Sequence, residues 1–116
     1  MKIQRGDIVL ADLTNAAYCE QGKMRPVIVI QNDVGNMYSP TTIIVPLTSH
    51  IKKVDQPTHT IITTEDATGL KSDSMVMCEQ VRTIDKRRIT VKVGKVTSEN
   101  AMKSIFNAYF ANVGEC

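Results

Sequence analysis

Arg25-Pro26-Val27-Ile28-Val29-Ile30-Gln31-Asn32-Asp33 reads as a strand with a charged residue at its mouth. Val27 to Ile30 is an unbroken run of β-branched apolar residues, which suits a strand buried on both faces. Pro26 fits at the start of such a strand, because it has no N–H to give to the ladder. Gln31-Asn32-Asp33 is a polar stop, and Asn32 or Asp33 can cap a short turn through Gly35 and Asn36. Arg25 therefore stands where a loop meets a rigid element, a good place to hold a charged side chain for chemistry.

The next apolar segment, Thr41-Thr42-Ile43-Ile44-Val45-Pro46-Leu47-Thr48-Ser49, has the same layout in reverse. An apolar strand leads out through a proline into the hydroxyl residues Thr48 and Ser49. Pro46 predicts an edge or a bulge near that end. Working outward, Ile8 to Leu13 reads as a half-buried strand and Thr14 to Met24 as a polar loop. His50 to Gln56 is a loop carrying Lys52 and Lys53. Thr60 to Thr63 is a short strand, and Glu65 to Lys71 a connector around Gly69. Ser74 to Val81 and Ile89 to Val96 read as strands joined through Asp85-Lys86-Arg87-Arg88. Ser98 is an N-cap, and Ala101, Met102, Ile105, Phe106, Tyr109, Phe110 and Val113 make an apolar helical stripe that ends at Gly114. The pattern is mainly β with a C-terminal helix, a small bent barrel or half-barrel with the helix packed on it.

A chain of 116 residues makes one domain with one core. No apolar run approaches the ~20 residues that span a membrane, and the first residues lack the apolar core of a signal peptide. The three cysteines, Cys19, Cys78 and Cys116, show no CxxC spacing. They fit free thiols in a reducing cytoplasm rather than a disulfide framework. The net charge is only +2, so a polyanion site must come from local clustering of cations. HExxH, clustered Asp-x-Asp and glycine-rich phosphate loops are absent, and no metal or cofactor is expected.

Four segments in order carry a family resemblance. They are Arg5-Gly6-Asp7-Ile8-Val9-Leu10-Ala11-Asp12-Leu13, then Glu20-Gln21-Gly22-Lys23-Met24-Arg25-Pro26 running into the first strand quoted, then Thr41 to Ser49, then Met77-Cys78-Glu79-Gln80-Val81-Arg82-Thr83-Ile84-Asp85-Lys86-Arg87-Arg88-Ile89. Together they resemble the MazF/PemK toxin endoribonucleases, or mRNA interferases, from Arg5 to about Val113. The chain departs at Cys19, where the family often has serine; a thiol is a poorer hydrogen-bond donor than a hydroxyl. The resemblance implies an SH3-like barrel, a homodimer, single-stranded mRNA as substrate and no cofactor. It also implies a cognate antitoxin whose acidic, flexible tail fills the RNA groove. Arg25 and Thr48 are the catalytic pair it implies.

The residue chemistry is compatible with that role. Metal-independent RNA cleavage must deprotonate the 2′-hydroxyl, stabilise a pentavalent phosphorane and protonate the leaving 5′-oxygen. A guanidinium can bind two phosphate oxygens at once, which suits Arg25 to the second task. Thr48 can add a neutral hydrogen bond. The group that moves the proton stays open, with His50 and His59 the only histidines. Candidate RNA contacts are Tyr18 by stacking, with Cys19, Glu20 and Gln21 in the same loop. Ser49, His50, Lys52, Lys53 and His59 follow Thr48. Glu79, Gln80 and Arg82 form a third set on a strand, where alternation puts Gln80 and Arg82 on one face. A rival reading is a non-catalytic toxin of the same barrel that poisons a protein such as DNA gyrase. Those toxins rely on a tryptophan near the end of the C-terminal helix, and this chain has none.

Overall fold

The computed structural model describes residues 2–14 and 24–114. Eight strands build one strongly bent sheet: β1 (Asp7–Asp12), β2 (Met24–Val29), β3 (Thr41–Thr48), β4 (His59–Ile62), β5 (Ala67–Thr68), β6 (Ser74–Met77), β7 (Arg82–Asp85) and β8 (Ile89–Val96). The spatial order is β4-β6-β3-β2-β1-β8-β5, with β7 pairing a second stretch of β3. Every strand pair is antiparallel. The result is a nearly closed barrel with a C-terminal helix, α2 (Glu99–Val113), and a short helix, α1 (Asp33–Tyr38), between β2 and β3.

The run Val27 to Ile30 is buried on both faces. Ile28 and Ile30 join a core with Ile8, Val45, Leu47 and the α2 residues Ala101, Ile105 and Ala108. Val27 and Val29 face the opposite way, into a second cluster with Val9, Ala11, Ile44 and Ile84. Each such side chain contributes about 1.5–3 kcal/mol of transfer free energy. Asn32 caps α1, accepting from the Gly35 N–H at 2.8 Å.

Pro46 marks a change of partner rather than a sheet edge. On one side β3 pairs continuously with β2. On the other it pairs with β7 along Thr41 to Ile44, then with β6 from Leu47. The Ile43 carbonyl accepts from the Ile30 N–H on the β2 side. By alternation the Pro46 nitrogen faces the gap between β7 and β6, where an N–H would have no ladder partner.

Two expectations are corrected. The strand foreseen over Ser74 to Val81 ends at Met77, and Cys78–Gln80 is a 3-10 turn. The chain turns a corner there from β6 to β7. Its carbonyls are met by the helix, since the Asn112 amide donates to the Cys78 carbonyl at 3.2 Å. Glu79 and Gln80 thus do not alternate with Arg82 on one strand. The helical stripe is also shorter than its pattern: Ala101, Ile105 and Ala108 are buried, but Phe110 is 66% and Val113 57% exposed. Ala101 and Ala108 bring the helix close to the barrel, while Phe110 and Val113 of its last turns face away from it. Gly114 does end α2, with φ −83°. A Cβ there would lie 2.6 Å from the Phe110 ring, so close approach and not a left-handed turn selects glycine.

Candidate active site

The mouth of β2 and the end of β3 open on one cavity of about 390 Å³. Arg25, Thr48 and Ser49 line it together with the apolar residues Leu10, Pro26 and Leu47. The β2–β3 register explains the meeting. Val27 pairs with Pro46; Arg25 and Thr48 lie two residues beyond that pair on their own strands, on the same faces as Val27 and Pro46. Opposed residues of an antiparallel pair point to the same face. The Thr48 hydroxyl oxygen accepts from the His50 N–H at 3.0 Å, which leaves its O–H to donate to a ligand. Leu10, Pro26 and Leu47 give the cavity an apolar side beneath the charged Arg25, where charge–charge attraction is stronger than in open water.

The cavity wall holds residues that the sequence reading left out: Gly69, Leu70, Lys71, Ser72 and Ser74. The only signal for them was a lysine shortly after a glycine in a connector, which is too common to be informative. The remaining candidates among the described residues do not line this cavity. His50, Lys52 and Lys53 are exposed on the loop that leaves Thr48. Lys53 has φ 51°, a left-handed conformation uncommon for a side chain with a Cβ.

His59 explains how that conformation is held. Its Nδ1 lies 3.0 Å from the Lys53 carbonyl oxygen and its Nε2 lies 2.7 Å from a Glu79 carboxylate oxygen. The imidazole is 6% exposed. His59 and Glu79 therefore tie the loop after Thr48 to the 3-10 turn at Cys78. Gln80 is half-buried near Met77, and Arg82 sits on β7 opposite Ile44. Tyr18, Cys19, Glu20 and Gln21 lie outside the described residues. Cys78 is buried and its thiol donates to the Ile105 carbonyl at 3.5 Å; burial pushes that thiol up to about 12. Among the described residues no group of three His, Cys, Asp or Glu side chains is placed to hold a metal ion, and no helix is long and apolar enough to cross a membrane.

Residues 4–108 match the PemK-like, MazF-like toxins of type II toxin–antitoxin systems. The chain is 46% identical over 99 residues to Endoribonuclease EndoA of Bacillus subtilis, covering 85% of this chain and 84% of the relative. It is 43% identical over 112 residues to Endoribonuclease MazF of Staphylococcus saprophyticus, covering 97% and 92%. Among solved structures, MazF from Deinococcus radiodurans superposes with a TM-score of 0.82 at 20% identity, covering 99% of each chain. A mycobacterial endoribonuclease crystallised with its cognate antitoxin gives 0.78 at 20% identity, covering 98% and 97%. At that identity the structural matches speak for the fold.

Proposed function

The chain belongs to the PemK-like, MazF-like toxins of type II toxin–antitoxin systems, and from that premise we propose that it cuts single-stranded mRNA in the Arg25–Thr48 cavity. It is an endoribonuclease toxin, as its relatives are named, and its partner is a cognate antitoxin. The observation that carries the site is the convergence of Arg25 and Thr48 on one cavity face.

The reaction proposed is an internal transfer. The 2′-oxygen of the nucleotide before the cut attacks the phosphorus and loses its proton. The bond to the 5′-oxygen of the next nucleotide breaks, and that oxygen gains a proton. The products are a 2′,3′-cyclic phosphate and a 5′-hydroxyl. Between them stands a phosphorane with more negative charge on its equatorial oxygens than the starting diester. Arg25 grips two of those oxygens and the Thr48 O–H donates to one, so both contacts strengthen as charge develops. The gyrase-poisoning alternative is disfavoured, since the curated relatives are named endoribonucleases.

The same reading makes the protein a cytoplasmic homodimer. Val34, Met37 and Tyr38 on α1 and Phe110 and Val113 on α2 are all more than half exposed, apolar surface that a second copy would bury. The antitoxin is proposed to act by laying an acidic segment over the cations of the cavity, because carboxylates offer arginine the same paired oxygens as phosphates. The test is to incubate the pure protein with a long RNA and map the new ends. Cuts at one recurring short sequence, each leaving a 5′-hydroxyl, are expected. Intact RNA, or ends scattered without sequence preference, would reject the proposal.

A further inference from the structure

The wall of the cavity facing Arg25 is built as carefully as the strands that carry Arg25 and Thr48. It begins where β5 pairs with β8. Gly69 has φ +80°, and a Cβ on it would fall 1.9 Å from the Val93 carbonyl oxygen. A Cβ on Gly94 would fall 1.9 Å from the Thr68 carbonyl oxygen. The two backbones are pressed together so closely that neither position admits a side chain. At the other end of the wall, an Asp73 carboxylate oxygen accepts from the Thr64 N–H at 3.1 Å, and the Ser74 hydroxyl donates to the Ser72 carbonyl at 3.1 Å. Lys71 therefore rides on a segment fixed on both sides.

The charge of the cavity points the same way. Its described lining contains two cations, Arg25 and Lys71, and no carboxylate. The nearest acid in the wall, Asp73, is engaged with Thr64 and does not line the cavity. Lys71 is exposed and lines the cavity, and a lysine there carries a hydrated ammonium on a long flexible stem that can meet a phosphate. A cavity of about 390 Å³ is also larger than one phosphate group requires. From these observations we infer that Lys71 receives a second RNA phosphate, next to the one held by Arg25. It sets the path of the strand through the site rather than touching the reacting atoms. This rests on the proposal that the cavity binds RNA.

The test separates the two. A short RNA carrying deoxyribose at the cut position is titrated into wild type, Lys71→Ala, Lys71→Gln and Lys71→Arg over a range of salt concentrations. Each phosphate contact to a single strand contributes about 0.7 to the slope of log affinity against log salt. Lys71→Ala and Lys71→Gln should lose about one such increment and bind about five- to tenfold more weakly at ~0.1 M salt. Lys71→Arg should restore both. A neutral methylphosphonate placed at each neighbouring phosphate in turn should weaken wild type at one position only, and at that position leave Lys71→Ala unaffected. Wild type that cuts the all-ribose RNA while Lys71→Ala and Lys71→Gln keep the full salt slope would overturn the Lys71 assignment alone. Wild type that neither cuts nor binds would overturn the RNA reading, and this one with it.

Discussion

Arg25 and Thr48 line one cavity, each two residues beyond the last registered pair of β2 and β3, Val27 with Pro46. The ladder that places them is buried on both faces, whereas the two side chains themselves reach the surface. Rigid support beneath a wet, charged mouth lets a guanidinium meet a phosphate with little ordering cost at the moment of reaction. Changing Arg25 to Ala should lower cleavage by ~10²-fold or more, the scale of removing one transition-state donor. Arg25→Lys should also fail, because an ammonium lacks the planar two-toothed grip. Single-turnover cleavage by folded variants is the measurement, and a wild-type rate for Arg25→Ala would remove Arg25 from the mechanism.

Gly69, just after β5, and Gly94, within β8, should be hard to replace. Alanine at either drives a Cβ into a carbonyl oxygen of the segment beside it. The strands must part or the loop must rebuild, at a cost of about 2–4 kcal/mol. Urea unfolding midpoints read this directly; an unchanged midpoint for Gly94→Ala would mean that the close approach of Gly69 and Gly94 is looser than described.

His59 is expected to act through the loop after Thr48 and not through RNA. His59→Ala removes the tie to both the Lys53 carbonyl and Glu79. Stability should fall by about 0.5–1.5 kcal/mol, the scale of losing hydrogen bonds whose other partners can turn to water. Hydrogen exchange should quicken over residues 50–58 while β2 stays protected. Uniform exchange across the loop in wild type and variant alike would show that the tie does not restrain it.

Cys78 gives the protein an alkaline liability. Its folded thiol ionises near 12 against an ordinary value of 9.0, so above the lower value the unfolded chain gives up a proton that the folded chain keeps. Unfolding then releases a proton, and stability falls as pH rises through this window by up to about 1.4 kcal/mol per pH unit. Below pH 9 the thiol is protonated in both states and contributes no slope. Cys78→Ala should be less stable than wild type at pH 8, with the gap narrowing by pH 10.5. A gap that stays constant would mean the thiol titrates alike in both states.

The sequence displays those parts of the fold that repeat a simple pattern. Val27 to Ile30 announces a buried strand because every residue is β-branched, and Ser98 announces a helix because capping is local. The partner change at Pro46 is only half visible, since a missing N–H says that a ladder is interrupted but not by which strands. Glu79 and Gln80 look like strand residues because the corner at Cys78 is made by Asn112, far along the chain. The tie between His59 and Glu79 joins residues from different elements and has no local signature. Lys71 is harder still. Its meaning comes from the close approach of Gly69 to Gly94, and nothing in a lone Gly-Leu-Lys shows that approach. Arg25 and Thr48 were legible for a different reason: each ends an apolar run, and the family resemblance names both.

The most direct measurement is cleavage of a matched pair of oligonucleotides identical except at one sugar. With ribose throughout, the protein should cut once, leaving a 2′,3′-cyclic phosphate and a 5′-hydroxyl, and should do so equally in EDTA. With deoxyribose only at the nucleotide before the cut, it should bind with similar affinity and leave the strand intact, because the attacking oxygen is gone. Cutting of the deoxy strand at the same bond, or loss of all activity in EDTA with recovery on adding a metal ion, would contradict attack by the 2′-hydroxyl in the Arg25–Thr48 cavity.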